Sequence, residues 1–116
     1  MGWGVTVKCF GLTLNLKDDP RLIAQYKDYH LHVWPEVEQS LRRAGIQRMK
    51  IFLLGRRLFM YMETPDDYTP SEASSIYLQE PKVVEWEKIM GELQEPVPEG
   101  CSGEWWSSME MVYELA

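Results

Sequence analysis

A tyrosine and a histidine four residues apart are the first side chains of this sequence that could do chemistry together. Tyr26 and His30 lie in a stretch whose pattern predicts a helix, and there this spacing places two side chains about 40° apart and about 6 Å along the axis. One ligand could therefore touch both. Histidine can donate or accept a proton near neutral pH, and a phenol can supply a directed hydrogen bond. Spacing alone leaves a second interpretation open, in which the two residues only border the core.

A second histidine, His32, follows two positions later. On an ideal helix an i, i+2 pair points to different sides, so His30 and His32 are not expected to hold a metal ion together. The sequence contains no HExxH pattern and no cysteine–histidine cluster with zinc-site spacing. We therefore expect neither a metal nor a cofactor.

Four of the five tryptophans could belong either to the core or to a functional surface. Trp34 and Trp86 fall on apolar stripes, where most tryptophans belong to the core. A sugar site also favours an aromatic wall, so for Trp86 the core and the pocket both stay open. Trp105 and Trp106 are adjacent, so on a strand at most one of them can face the core, and the other could cover a subunit interface.

The first elements are predicted from periodicity and from helix signals. Residues 5–16 alternate as a strand, but the alternation changes phase at Gly11, which predicts a β-bulge there. A helix is predicted from Pro20, capped by the preceding aspartate, to about residue 44, where a glycine stops it. Pro35 lies inside this helix and predicts a kink or a break at residues 33–34.

The second half of the chain continues the pattern. Ile46–Leu54 and Arg57–Glu63 predict a hairpin, and a T-x-x-E capping box at 69–72 predicts a short helix. A second amphipathic helix starts at Pro81, and 107–115 is a candidate last strand. The order β-α-β-β-α-β predicts one α+β, ferredoxin-like domain over residues 1–116, with an antiparallel sheet. A second subunit is the usual cover for the open sheet face.

The amino-acid composition argues against some classes of binding partner. The chain has 12 lysines and arginines against 18 aspartates and glutamates, a net charge of −6, which argues against nucleic acid and anionic membranes. No apolar run approaches the roughly 18 residues of a membrane span. The two cysteines, Cys9 and Cys101, are too few for a disulfide framework. We expect a reducing, cytoplasmic location.

The stretch YKDYHLHVWPEVEQSLRRAGI resembles the L-rhamnose mutarotase family: a tyrosine, a histidine four residues later, then Trp-Pro-Glu and a helix that ends at glycine. Three later segments resemble the family's hairpin, second helix and closing strand: MKIFL…RLFMYMET, VVEWEKIM and SSMEMVYEL. The resemblance covers nearly the whole chain in the same order. It implies a dimeric α/β-barrel-type assembly of ferredoxin-like subunits and the interconversion of the α and β anomers of a 6-deoxy sugar such as L-rhamnose or L-fucose.

The resemblance also implies roles for individual residues. The family's catalytic histidine falls on His30, and a substrate-contacting tyrosine falls on Tyr26. A second such tyrosine falls on Met49, and a tandem tryptophan pair falls on Trp86 and Glu87. We therefore expect the monosaccharide to contact these positions together with Trp34. Met49 cannot donate a hydrogen bond as a phenol does, so these departures leave the exact sugar open.

Mutarotation requires one proton to leave the anomeric hydroxyl and one to reach the ring oxygen. His30 is the expected proton-transfer group, with Tyr26 orienting a sugar hydroxyl, Trp86 as an apolar wall, and His32 or Glu87 as a candidate partner. The alternative is a non-catalytic sugar-binding or dimeric interaction protein on the same scaffold. A monooxygenase or haem-handling domain is a further rival, although His30 beside the charged residues Lys27 and Asp28 fits an axial haem ligand poorly.

Overall fold

A computed structural model describes residues 7–116 and contains a helix layer on an antiparallel sheet. The expected α+β, ferredoxin-like architecture is confirmed. In chain order the elements are β1 (Val7–Leu16), α1 (Pro20–Leu31), α2 (Pro35–Arg43), β2 (Arg48–Leu54), β3 (Arg57–Pro65), α3 (Pro70–Tyr77), α4 (Pro81–Leu93), β4 (Gln94–Glu95) and β5 (Ser107–Ser108).

The strand order in the sheet is β2-β3-β1-β4, and β5 also pairs with β1, at Leu12 and Thr13. One sheet face carries the core side chains of β1 and β3, which pack against the helices. This buried cluster consists of leucines of the sheet and side chains of α1, α2 and α4: Leu14, Leu16, Leu58, Tyr26, Val37, Val83, Trp86, Met90 and Leu93. The helix layer therefore stands on one side of the sheet, as expected.

The predicted bulge at Gly11 is wrong. β1 pairs with β3 in one unbroken antiparallel register from Val7↔Pro65 to Asn15↔Arg57. The phase change in the sequence has another cause: the leucines at even positions face the helices, whereas Val7 and Cys9 lie on the opposite sheet face. A strand whose apolar residues lie first on one face and then on the other gives the same sequence pattern as a strand with one inserted residue.

The long predicted helix is broken where Pro35 falls. α1 begins after Asp19, whose Oδ1 accepts a hydrogen bond from the Arg21 backbone N–H at 2.9 Å. It ends at Leu31, and α2 starts at Pro35, because proline lacks the N–H that a continuous helix needs. Past α2, Gly45 adopts φ 103°, a conformation that ends helices and that favours glycine.

Two other local predictions need correction. α3 begins after Thr69 as predicted, but the threonine side chain makes no capping hydrogen bond, so the capping box is not formed. The candidate last strand is reduced to Ser107–Ser108, and residues 109–116 have no regular secondary structure and are exposed. Met109 still donates its backbone N–H to the Gly11 carbonyl of β1 at 2.8 Å, but within residues 7–116 no strand pairs with the residues that follow it, so they lack the neighbour that a β-strand requires.

The predicted strand starts at residue 5, and its first two positions lie outside the described residues. None of the helices described between residues 7 and 116 is long and apolar enough to cross a membrane.

Candidate functional site

A cleft of about 770 Å³ opens between the helix layer and the sheet. This volume lies within the range of small-molecule sites. The sheet supplies an apolar floor, and all four helices supply side chains to the walls. Of the residues expected to contact a ligand, five line this cleft: Tyr26, His30, Met49, Trp86 and Glu87.

His30 lies near the end of α1 and is half-buried, and one of its ring nitrogens makes a hydrogen bond to the backbone. Its Nδ1 lies 2.9 Å from the backbone carbonyl oxygen of Tyr26. Because a carbonyl can only accept, Nδ1 must carry the hydrogen and donate it. That fixes the neutral tautomer and leaves the Nε2 lone pair free. Burial lowers the pKa of His30 below its ordinary 6.5, and the bond to the Tyr26 carbonyl opposes this. At physiological pH the imidazole is therefore uncharged, and its Nε2 can accept a proton.

Tyr26 is buried beneath this histidine. The two rings are stacked with centroids 4.1 Å apart and planes inclined by 28°, as the i, i+4 spacing predicts. Burial raises the pKa of Tyr26 far above its ordinary value, and a side-chain hydrogen bond with Gln94 acts in the opposite direction. Tyr26 therefore stays a phenol over the physiological range and can serve as a hydrogen-bonding group rather than as a base.

Trp86 joins the core to the cleft. It is buried, and its ring meets His30 edge-on at 5.4 Å between centroids and Trp34 at 5.3 Å. Both interpretations of Trp86 therefore hold, since the side chain is core and cleft wall at once.

Trp34, in contrast, is not among the residues that line the cleft. It packs on Trp86, and the Lys82 ammonium lies 5.6 Å from its ring centroid. The structure thus places Trp34 behind the aromatic wall, where it supports Trp86, instead of at the position of a contact residue.

Glu87, which follows Trp86 on α4, lines the cleft wall and accepts a hydrogen bond from the Tyr77 hydroxyl at 2.8 Å. The protein packed around the carboxyl raises the pKa of Glu87, and the Tyr77 hydrogen bond acts against this. For Tyr77 itself, burial first and then the Glu87 charge raise the pKa far above the ordinary value. Carboxyl and phenol thus form a pair in which the phenol is the donor.

His32 does not join the group. It is the exposed cap residue that follows the last residue of α1, and it is absent from the cleft lining. Across residues 7–116 no group of three or more histidine, cysteine, aspartate or glutamate side chains could hold a metal ion.

The cleft lining also includes residues that were not predicted as site residues, among them Tyr77, Gln94 and Trp106. Gln94 is buried, and its Oε1 accepts a hydrogen bond from the Trp105 indole N–H at 3.0 Å. Of the tryptophan pair, Trp106 packs on the core while Trp105 stays partly exposed. Only one of the two is in the core, although both lie just before β5 and not on a strand. A glutamine directly after an amphipathic helix and a tyrosine at a helix end carry no motif, so only their three-dimensional position reveals them.

Comparison with known proteins places the chain among sugar-handling enzymes. The sequence model of the L-rhamnose mutarotase family matches residues 9–115. An L-fucose mutarotase of Xanthomonas campestris is 38% identical over 105 residues, covering 89% of this chain and 84% of that protein. A UPF0734 protein of Dictyostelium discoideum is 44% identical over 112 residues, covering 93% and 90% respectively.

Solved structures agree at the level of the fold. The crystal structure of an L-rhamnose mutarotase from Formosa agariphila superposes with a TM-score of 0.68 at 19% identity, covering 94% of this chain and 99% of that one. The tetracenomycin F2 cyclase of Streptomyces glaucescens, a type II polyketide cyclase, gives a TM-score of 0.59 at 17% identity, covering 94% and 97%. One scaffold thus serves unrelated chemistries, and the sequence match distinguishes between them. This chain belongs to the L-rhamnose mutarotase family.

Proposed function

We propose that this protein interconverts the α and β anomers of a 6-deoxy sugar such as L-rhamnose or L-fucose, without a cofactor. The observation that carries the proposal is His30, an imidazole of fixed tautomer on the wall of a sugar-sized cleft. Tyr26 beneath it and Trp86 beside it supply a hydrogen-bonding phenol and an aromatic wall. The similarity to an L-fucose mutarotase and the family match support this choice of substrate class.

In the proposed mechanism the free Nε2 of His30 removes the proton from the anomeric hydroxyl. The electron pair forms the aldehyde as the bond between C1 and the ring oxygen breaks, and the ring oxygen takes up a proton. Rotation about the C1–C2 bond presents the other aldehyde face, and ring closure reverses each transfer. Every step is general acid–base catalysis, so no redox group takes part. The Tyr26 phenol orients the sugar by donating to one of its oxygens.

A non-catalytic sugar-binding protein is the alternative, because Met49 stands where the family has a tyrosine. The two functions differ in one observable: a binder shifts the sugar resonances without accelerating anomer exchange. We therefore propose to add the protein to L-rhamnose, L-fucose and L-galactose and to record line broadening and saturation transfer between the anomeric protons. We expect accelerated exchange for at least one 6-deoxy sugar. Binding without acceleration for all three sugars would favour the alternative.

We further propose that the protein works as a homodimer that covers the open face of the sheet. On that face β2 and β3 place Phe52 directly opposite Phe59, and their rings are stacked 6.1 Å apart between centroids. Phe52 is 56% exposed. The C-terminal segment after Ser108 adds further exposed apolar side chains: Met109, Met111, Val112, Tyr113 and Leu115. An apolar surface of this extent on a soluble chain is typical of an interface. A second copy presents the same sheet face and fits a self-complementary two-fold contact.

The dimer prediction can be tested by placing a charge on this face. Phe52→Glu should convert the dimer to a monomer at micromolar concentration, because the contact would bury an unpaired carboxylate. Size-exclusion chromatography with light scattering measures the mass. Val84→Glu is the matched control, since Val84 is also exposed, at 53%, but lies on α4. A wild-type monomer, or a Phe52→Glu variant that stays dimeric, would contradict the prediction.

A further inference from the structure

We propose that Glu87, positioned by Tyr77, is the second proton-transfer group and donates the proton that the ring oxygen takes up when His30 removes the anomeric proton. This inference rests on the proposed mutarotase function and assigns the acid that the mechanism requires. It concerns a position where this chain carries a carboxylate in place of the indole expected from its family.

The first support is placement on one cleft. Glu87 lines the same cleft as His30 and follows directly after Trp86, whose ring contacts the His30 ring. Adjacent residues on a helix project about 100° apart, which lets the tryptophan pack on the histidine while the glutamate reaches Tyr77. The charge of Glu87 also acts on Tyr26, the residue stacked beneath His30. The carboxyl therefore lines the same cleft as the residues that would hold the sugar.

The second support is how the carboxyl is held. The Tyr77 hydroxyl donates to Oε2 of Glu87, which fixes one carboxyl oxygen and leaves Oε1 for a ligand. No other side-chain bond of Glu87 is formed within residues 7–116, and the group stays accessible from the cleft. Tyr77 is the last residue of α3, and Glu87 lies in the middle of α4, so the pair also joins the two helices that form this wall.

The protonation states fit the role. The surrounding protein raises the pKa of Glu87 and lowers that of His30. A protonated carboxyl and a neutral imidazole are the forms needed at the start of the reaction. Shifts in these opposite directions increase the fraction of molecules that carry both forms at once.

The proton balance closes over one cycle. On ring opening, the anomeric proton goes to Nε2 of His30, and the Glu87 carboxyl gives its proton to the ring oxygen as the bond from that oxygen to C1 breaks. The enzyme then holds an imidazolium and a carboxylate. On closure at the other aldehyde face, the ring-oxygen proton returns to Glu87 and the imidazolium proton returns to the anomeric oxygen. No co-reactant is consumed.

The test compares Glu87→Gln with wild type in anomer-exchange rates measured by saturation transfer from pH 5 to pH 9. We expect Glu87→Gln to lose about 10²-fold in the enzyme-dependent rate and to lose the decline of that rate at high pH, because that decline reports deprotonation of Glu87. Glu87→Asp keeps a carboxyl and should keep the high-pH decline. Glu92→Gln is the matched control, since it removes the same charge from an exposed position of α4 outside the cleft lining.

Tyr77→Phe tests the positioning role separately. The Tyr77 hydrogen bond lowers the pKa of Glu87, so its removal should move the high-pH decline to higher pH, an effect that a purely structural role for Tyr77 would not produce. If wild type accelerates exchange and His30→Gln does not, while Glu87→Gln keeps the full rate and an unchanged pH profile, this inference fails and the proposed function stands. If wild type accelerates the exchange of no sugar, the proposed function itself fails.

Discussion

His30→Gln is expected to lower the enzyme-dependent rate of anomer exchange by about 10²- to 10⁴-fold, the contribution of one well-placed general base. Glutamine retains polarity and approximate size, but its amide has no basic lone pair that could replace Nε2. The substituted side chain is half-buried near the end of α1 and lies outside the most buried part of the core. The loss should therefore appear in the rate, with the fold intact by circular dichroism.

His32→Gln is the matched control for this substitution, because His32 is exposed and does not line the cleft. It should retain the wild-type rate. A full rate in His30→Gln, or an equal loss in both variants, would contradict the assignment of His30.

His30 also determines how the rate of anomer exchange falls at low pH. Its pKa is lowered from 6.5, so the basic form persists below pH 6.5 and the rate should fall only as the pH drops through the lowered value. Stability follows the same direction: the unfolded chain binds the proton more readily, so this group favours the folded state above the ordinary pKa and ceases to do so in acid.

Trp86→Ala is expected to reduce the free energy of unfolding by about 3–5 kcal/mol, the usual cost of truncating a buried aromatic residue. Trp86 is only 4% exposed and meets the rings of three neighbours: Tyr29, His30 and Trp34. Removing it leaves a cavity beneath the cleft and takes the lateral support from His30. Urea unfolding measures the change, at one fixed protein concentration because the proposed association of two chains would be linked to unfolding.

Val84→Ala provides the control on the same helix. Val84 is 53% exposed, and exposed substitutions usually change stability by less than about 0.5 kcal/mol. Trp86→Phe should cost less than Trp86→Ala, since it keeps part of the buried aromatic surface. A Trp86→Ala variant as stable as wild type would show that the aromatic cluster does not support the cleft.

Elements with local signals could be predicted from the sequence. Pro20, Pro35 and Gly45 act through their own backbone chemistry, so the helix start, the break and the helix end all fall where expected. The i, i+4 pair Tyr26–His30 is equally local, and its stacking follows from helix geometry.

Features that depend on distant neighbours could not be predicted. The phase change at Gly11 looked like a bulge because the sequence does not show that β1 keeps one register while its apolar residues change from one sheet face to the other. Residues 109–115 alternate like a strand, yet only Ser107–Ser108 finds a pairing partner in β1. The Tyr77 hydroxyl of α3 reaches the Glu87 carboxylate of α4 across ten positions, and no sequence motif marks that pair.

The most direct test of the central claim is saturation transfer between the anomeric protons of α- and β-L-fucose in parallel samples of buffer, wild type and His30→Gln. The account predicts that wild type exchanges the anomers well above the buffer rate and that His30→Gln lies close to buffer. Equal rates in buffer and with wild type, repeated with L-rhamnose, would contradict it.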